Sequence, residues 1–98
     1  MIHREVPVAD YEALVAGGAQ LVDVREPDEV AAGSLPGAVN IPLGELPDRV
    51  GELDPGRGVA LLCRSGARSG RAAEFLAANG FSDVVNLTGG MLAAQGEG

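Results

Sequence analysis

The chain has 98 residues, 46% of them hydrophobic: enough for one core and too few for two. Its net charge of -7 excludes the basic face that a nucleic-acid or anionic-membrane binder needs, and no apolar run approaches the ~20 residues that span a bilayer. With one cysteine, Cys63, and one histidine, His3, an internal disulfide framework and a structural zinc site are excluded too. The opening MIHREVPVAD has no apolar signal segment, and a single free thiol fits a reducing, cytoplasmic setting.

Strands and helices alternate along the chain. Residues 2–5 read as a short edge strand. In residues 8–16, Val8, Tyr11, Leu14 and Val15 fall at helical spacing, and Gly17-Gly18 supplies a stop. Residues 20–24 (QLVDV) form a short β-rich run. A helix is predicted over 27–32, with Pro27 near its start and Gly33 after its end. Residues 34–40 begin with a turn and become extended. Residues 43–53 predict a helix, with Pro47 either in its first turn or breaking it. Asp54-Pro55-Gly56 signals a turn. Residues 59–62 (VALL) are continuously apolar, as in a strand buried on both faces. Residues 64–70 read as a loop and 69–79 as an Ala-rich helix ending at Gly80. A strand over 84–87 and a last helix over 88–95 follow. The expected fold is therefore one α/β domain over residues 1–98, with a central, mostly parallel sheet and helices on both faces. Ligands of such sheets bind at the carboxyl ends of the strands.

One of those ends carries the chemistry. The buried strand 59–62 runs into Cys63, then a six-residue turn, Arg64, Ser65, Gly66, Ala67, Arg68 and Ser69, then a helix. A Gly-bearing turn opening into a helix aims successive N–H groups inward and makes an anion cradle. No Asp or Glu occurs between Pro55 and Ala73, whereas four of the seven arginines do: Arg57, Arg64, Arg68 and Arg71. Such a field favours a thiolate and attracts an anionic co-substrate. A lone cysteine is by default a small core residue, and an arginine cluster a solvated helix face. Strand end, glycine loop, arginines and helix start in one place favour a reactive thiol instead.

These residues resemble the rhodanese-like domain, a single-domain sulfurtransferase module. Four stretches carry the match: LVDVREPDEVAAG (21–33), SLPGAVNIP (34–42), CRSGARS (63–69) and NGFSDVVNLTGGM (79–91). With their connections they cover nearly the whole chain. The resemblance implies a cysteine that takes the outer sulfur of a small anionic donor such as thiosulfate, becomes a persulfide, and passes sulfane sulfur to an acceptor: cyanide, a thiol or a protein. Cys63 would be the nucleophile. The N–H groups of Arg64, Ser65, Gly66, Ala67, Arg68 and Ser69 would hold the terminal sulfur. Arg64 would orient the donor, Arg68 would shape the loop, and Ser69 would cap the next helix. Asp23 and Arg25 would support the loop or form a structural ion pair. No metal or organic cofactor is implied, and neither nucleic acid nor membrane is an expected partner. Ser34 stands where the family commonly has His, and the Trp usual near Ala94 is missing.

Two other functions compete. A phosphatase or arsenate reductase of the C-x5-R type also uses a low-pKa cysteine. Cys63 to Arg68 is one residue shorter, and no acid lies near in sequence to protonate a leaving oxygen. A non-enzymatic persulfide relay or docking module needs the same residues as the enzyme. The acidic run Glu26, Asp28 and Glu29 reads as a solvated first helical turn. Gly89-Gly90 reads as a turn packed against the active loop.

Overall fold

The computed structural model describes residues 2–96. Five strands, β1 (Arg4–Pro7), β2 (Gln20–Asp23), β3 (Val39–Asn40), β4 (Val59–Leu62) and β5 (Val84–Thr88), form one all-parallel sheet in the order β1-β5-β4-β2-β3. The helices are α1 (Tyr11–Ala16), α2 (Pro27–Ala31), α3 (Leu46–Arg49), α4 (Ala67–Ala78) and α5 (Gly90–Ala94).

β4 takes the centre because it is apolar at every position, and all four of its residues are buried. Its side chains alternate between two cores. Val59 and Leu61 join Val22, Val24 and Val84 under α4, which contributes Ala72, Ala73 and Leu76. Ala60 and Leu62 join Leu21, Val85 and Leu87 on the other face, covered by Val8, Tyr11, Leu14 and Met91. The expected layering is present, built almost entirely from aliphatic side chains.

Several boundaries differ from expectation: residues 8–10 form a 3-10 turn before α1, and Thr88 ends β5 rather than opening the last helix. Residues 43–53 form no continuous helix but a 3-10 turn (Leu43–Glu45), the short α3 and a second 3-10 turn (Val50–Glu52). Pro47, second residue of α3, lacks the N–H that a continuous helix would direct to Leu43. The edge strand covers Arg4–Pro7 rather than residues 2–5, paired along β5 from Val85 to Thr88. The helix after Cys63 begins at Ala67 rather than Ser69, with consequences for the site.

A cavity of about 360 Å³ lies between α5 and the start of α1, lined by Pro7, Val8, Tyr11, Leu35, Ala93 and Ala94 among others. No helix among the described residues is long and apolar enough to cross a membrane.

Candidate active site

Cys63 directly follows β4 at the carboxyl edge of the sheet. The connection to α4 is three residues, Arg64, Ser65 and Gly66, because Gly66 turns the chain at once. Its φ of +106° lies in the left-handed region, and its carbonyl already accepts the first helical bond, from Gly70 N–H at 3.1 Å. Ordinary contact distances surround a Cβ built there, so conformation rather than space demands glycine.

Gly66 is the N-cap of α4 and has no side chain to cap with. The cysteine sulfur takes that role. Gly66 N–H donates to Cys63 Sγ at 3.0 Å, and Ser69 Oγ lies 3.2 Å from the same sulfur. Burial pushes the Cys63 thiol up, but hydrogen bonds from the Ser69 hydroxyl and from the N–H groups of Ser69, Gly66 and Ser65 outweigh it, and the net shift is downward. The positive end of a 12-residue helix acts in the same direction. Cys63 itself is 1% exposed, at the bottom of the cradle.

A second set of bonds holds the peptides beside the nucleophile. At the start of α5, Met91 N–H donates to the Cys63 carbonyl at 2.9 Å and Leu92 N–H to the Arg64 carbonyl at 3.0 Å. With the Arg64 carbonyl drawn to α5, the Ser65 N–H that follows it faces the sulfur. This approach requires Gly90, whose φ is +54°. A Cβ there would stand 2.4 Å from the Cys63 oxygen and 2.6 Å from the Arg64 oxygen. Gly90→Ala is therefore expected to cost ~2–4 kcal/mol in denaturant unfolding. Gly80→Ala, equally left-handed but in open space, should cost only ~1 kcal/mol. Equal costs for the two would refute the packing argument. The Gly89-Gly90 turn does pack against the cysteine loop.

Ser69 is not the helix cap. It is the third residue of α4, fully buried, and its hydroxyl lies 2.5 Å from Asn86 Oδ1. Asn86, on β5, also donates from Nδ2 to Glu5 Oε1 at 3.0 Å and to the Gly66 carbonyl at 3.1 Å.

The arginine field is weaker than the sequence spacing implies. Arg57 lies before β4, at the far end of the sheet, and binds the Gly18 carbonyl. Arg68 forms a bidentate pair with Glu29 of α2, at 2.7 and 2.8 Å. Arg64 and Arg71 are exposed, with no ion pair among the described residues. The thiol is thus acidified chiefly by hydrogen bonds rather than by four positive charges. Ala67 is exposed on the first turn of α4.

Glu29 is no solvated member of an acidic run. The Arg68 guanidinium, with the Glu26 backbone behind it, holds its carboxyl at about 2. An acid does stand beside the loop, contrary to the sequence reading, but it is kept ionised and cannot supply a proton at neutral pH. The pair's stability contribution is fully present above about pH 4.5 and is lost once pH has fallen through about 2. Wild type should exceed Glu29→Gln by ~0.5–1 kcal/mol at pH 7, since both side chains are about one-third exposed, and by nothing below pH ~2. A difference independent of pH would contradict the pairing.

Asp23 and Arg25 lie at the same sheet edge but bind each other and the segment after α2. Arg25 meets the Asp23 carboxylate through Nε and Nη2, the latter at 2.8 Å, and reaches the Gly33 carbonyl at 2.7 Å. Ser34 Oγ donates to Asp23 at 2.7 Å. Neither residue bonds to residues 63–69. Arg25 also approaches the Glu29 carbonyl of α2 at 3.4 Å. Sequence reasoning missed Glu29, Asn86 and Glu5. Asn86 left a signal, as a lone amide in an otherwise apolar strand; the partnership of Glu29 left none.

The rhodanese-like domain family model matches residues 8–97. The chain is 49% identical over 72 residues to the uncharacterised protein YqhL of Bacillus subtilis, covering 74% of this chain and 57% of that one. It is 44% identical over 77 residues to the putative sulfurtransferase YtwF of the same organism, covering 79% and 74%. A sulfurtransferase of Allochromatium vinosum is 44% identical over 73 residues, covering 74% and 68%. The crystal structure of a rhodanese-like domain protein from Staphylococcus aureus superposes with a TM-score of 0.83 at 33% identity, covering 92% of this chain and 89% of that one. The chain also covers 16% of a longer Bacillus anthracis chain, reduced CoADR-RHD, with a TM-score of 0.84 at 36% identity over 91% of its own length. On the sheet order, the cysteine loop and these matches, the chain belongs to the rhodanese-like domain family.

Proposed function

We propose that this protein is a sulfurtransferase that carries sulfane sulfur on Cys63, with thiosulfate or a similar small anion as donor. The observation that carries this reading is the sulfur's position: the N-terminal cap of α4, facing N–H groups of Ser65, Gly66 and Ser69. Its donors are backbone N–H groups and one serine hydroxyl, none of which can be titrated away near neutral pH. The relatives named sulfurtransferase support the same class of chemistry.

In this reading the Cys63 thiolate attacks the outer sulfur of thiosulfate. An S–S bond forms to Cys63 as the bond to the sulfonate sulfur breaks, and sulfite leaves with the electron pair. The persulfide's terminal sulfur carries the negative charge and takes up the cradle N–H groups. Cyanide in the test tube, or a thiol or protein in the cell, then attacks that sulfur. A new bond forms to the acceptor, the S–S bond breaks, and the thiolate returns. Phosphate chemistry is less well served. Arg68 is committed to Glu29 and is not free to clamp a tetrahedral oxyanion.

Intact mass after incubation with thiosulfate tests the reading. One added sulfur atom, removed by cyanide with release of thiocyanate, is the expected result. No added sulfur from thiosulfate, polysulfide or a desulfurase would overturn it. Arg64, exposed at the mouth, should act by attraction alone. Arg64→Ala is expected to raise KM for thiosulfate ~2–5-fold with kcat unchanged, and to flatten the salt dependence. An unaltered KM and salt slope would remove that role.

A further inference from the structure

Asn86 is 3% exposed and in register with Glu5 of β1 and Leu61 of β4. What faces its amide dictates its orientation. The Glu5 carboxylate oxygen and the Gly66 carbonyl both accept, so both belong on the Nδ2 side. Oδ1 is left facing Ser69, and because an amide oxygen cannot donate, the serine hydroxyl must. The same hydroxyl is in hydrogen-bond range of Cys63 Sγ, and it has one proton for two acceptors.

With a protonated cysteine there is no conflict. The thiol donates to Ser69 Oγ, and Ser69 donates to Asn86. An anionic sulfur, thiolate or persulfide, has nothing to donate and competes with Asn86 for the serine proton. We propose that the Ser69 hydroxyl is a two-position switch governed by Asn86: it points to Asn86 Oδ1 while Cys63 holds its proton and swings onto Sγ when the sulfur is an anion. On ionisation the S–H bond breaks and its proton passes to water; Ser69 keeps its own proton and changes only its acceptor. Asn86 Oδ1 is then buried without a partner, a penalty charged to the anion. Asn86 is thus a positioning residue that restrains the acidity conferred by the loop N–H groups.

The other charged groups around the sulfur are the exposed Arg64 in the loop, Arg68 on α4 paired with Glu29 on α2, the Asp23–Arg25 pair at the end of β2, and Glu5 on β1, bonded to His3 and to Asn86. α5 brings no titratable side chain. The switch bears on turnover only through the sulfurtransferase reading, but its test needs no sulfur transfer, so either can fail alone.

Cys63 is the sole cysteine, and thiolate absorbance against pH reads it directly. Asn86→Ala is expected to lower the midpoint by about half to one pH unit, the equivalent of one net hydrogen bond. Ser69→Ala should raise it, and the double variant should match Ser69→Ala, because Asn86 acts only through the hydroxyl. Mere loosening of the loop would do the reverse in Asn86→Ala, losing N–H donors and raising the midpoint. A raised or unchanged midpoint in folded Asn86→Ala, or a lowering that survives in the Ser69→Ala background, would overturn the proposal. Should Asn86→Ala not fold, the near-isosteric Asn86→Leu serves, since it fills a similar volume and offers the serine no acceptor. It too should lower the midpoint, and no longer do so when Ser69 is Ala. A raised or unchanged midpoint, or a lowering indifferent to Ser69, would equally overturn the proposal.

Discussion

Cys63→Ser is expected to bring sulfur transfer to the uncatalysed background, a loss of ~10³-fold or more, while leaving the fold in place. A serine hydroxyl is scarcely ionised at neutral pH and cannot form the sulfur–sulfur bond that holds the cargo. The fold survives because the site is already polar. Gly66 N–H and Ser69 Oγ, which bond to the sulfur now, would bond to an oxygen in its place. The stability cost should be no more than ~1 kcal/mol. Mass spectrometry after thiosulfate and a thermal melt of the same sample check both halves. Sulfur uptake by a folded Cys63→Ser protein would end the proposed chemistry.

Asp23→Ala should have the largest effect on stability. Arg25 is 6% exposed and its guanidinium would lose its carboxylate, while Arg25 N–H and Ser34 Oγ would lose their acceptor. Stranding a buried charge in this way costs ~3–5 kcal/mol. A domain of this length has only ~5–15 kcal/mol in total, so a fall in Tm of roughly 15–30 °C is expected by circular dichroism. Replacing both residues, as in Asp23→Leu with Arg25→Met, removes the orphaned charge and should recover part of the loss. Recovery stays incomplete because the Gly33 carbonyl also depends on Arg25. A loss below ~1 kcal/mol for Asp23→Ala would show that Arg25 escapes to solvent.

Both predictions rest on residues that stand out in the sequence, but for different reasons. Cys63 was legible because its cues are local: a continuous apolar strand, a glycine three residues on, and an Ala-rich helix. Local cues report backbone conformation, and conformation alone places N–H groups around the sulfur. The same logic found the strands, the turn at Asp54, where Gly56 N–H binds Asp54 Oδ1 at 2.9 Å, and the Gly89-Gly90 turn. It failed by two residues at the start of α4. The chain reads equally well as loop or helix over 67–69, and the left-handed φ of Gly66 decided between them.

The charges misled for the opposite reason. Counting arginines along the chain assumes that near in sequence means near in space. Parallel pairing violates that assumption, since each strand starts afresh at the far end of the sheet. Arg57 is six residues from Cys63 yet belongs to the opposite edge, whereas Glu29, 39 residues from Arg68, binds it. The sequence by itself determined the alternation of elements, the parallel sheet, the acidity of the whole chain and the place of its one thiol, because these follow from composition and short-range pattern. Only the tertiary structure decided what surrounds that thiol. The serine hydroxyl shared with Asn86, the α5 N–H groups that turn its carbonyl away and the carboxylate that neutralises Arg68 come from β5, α5 and α2, which meet only when the sheet closes.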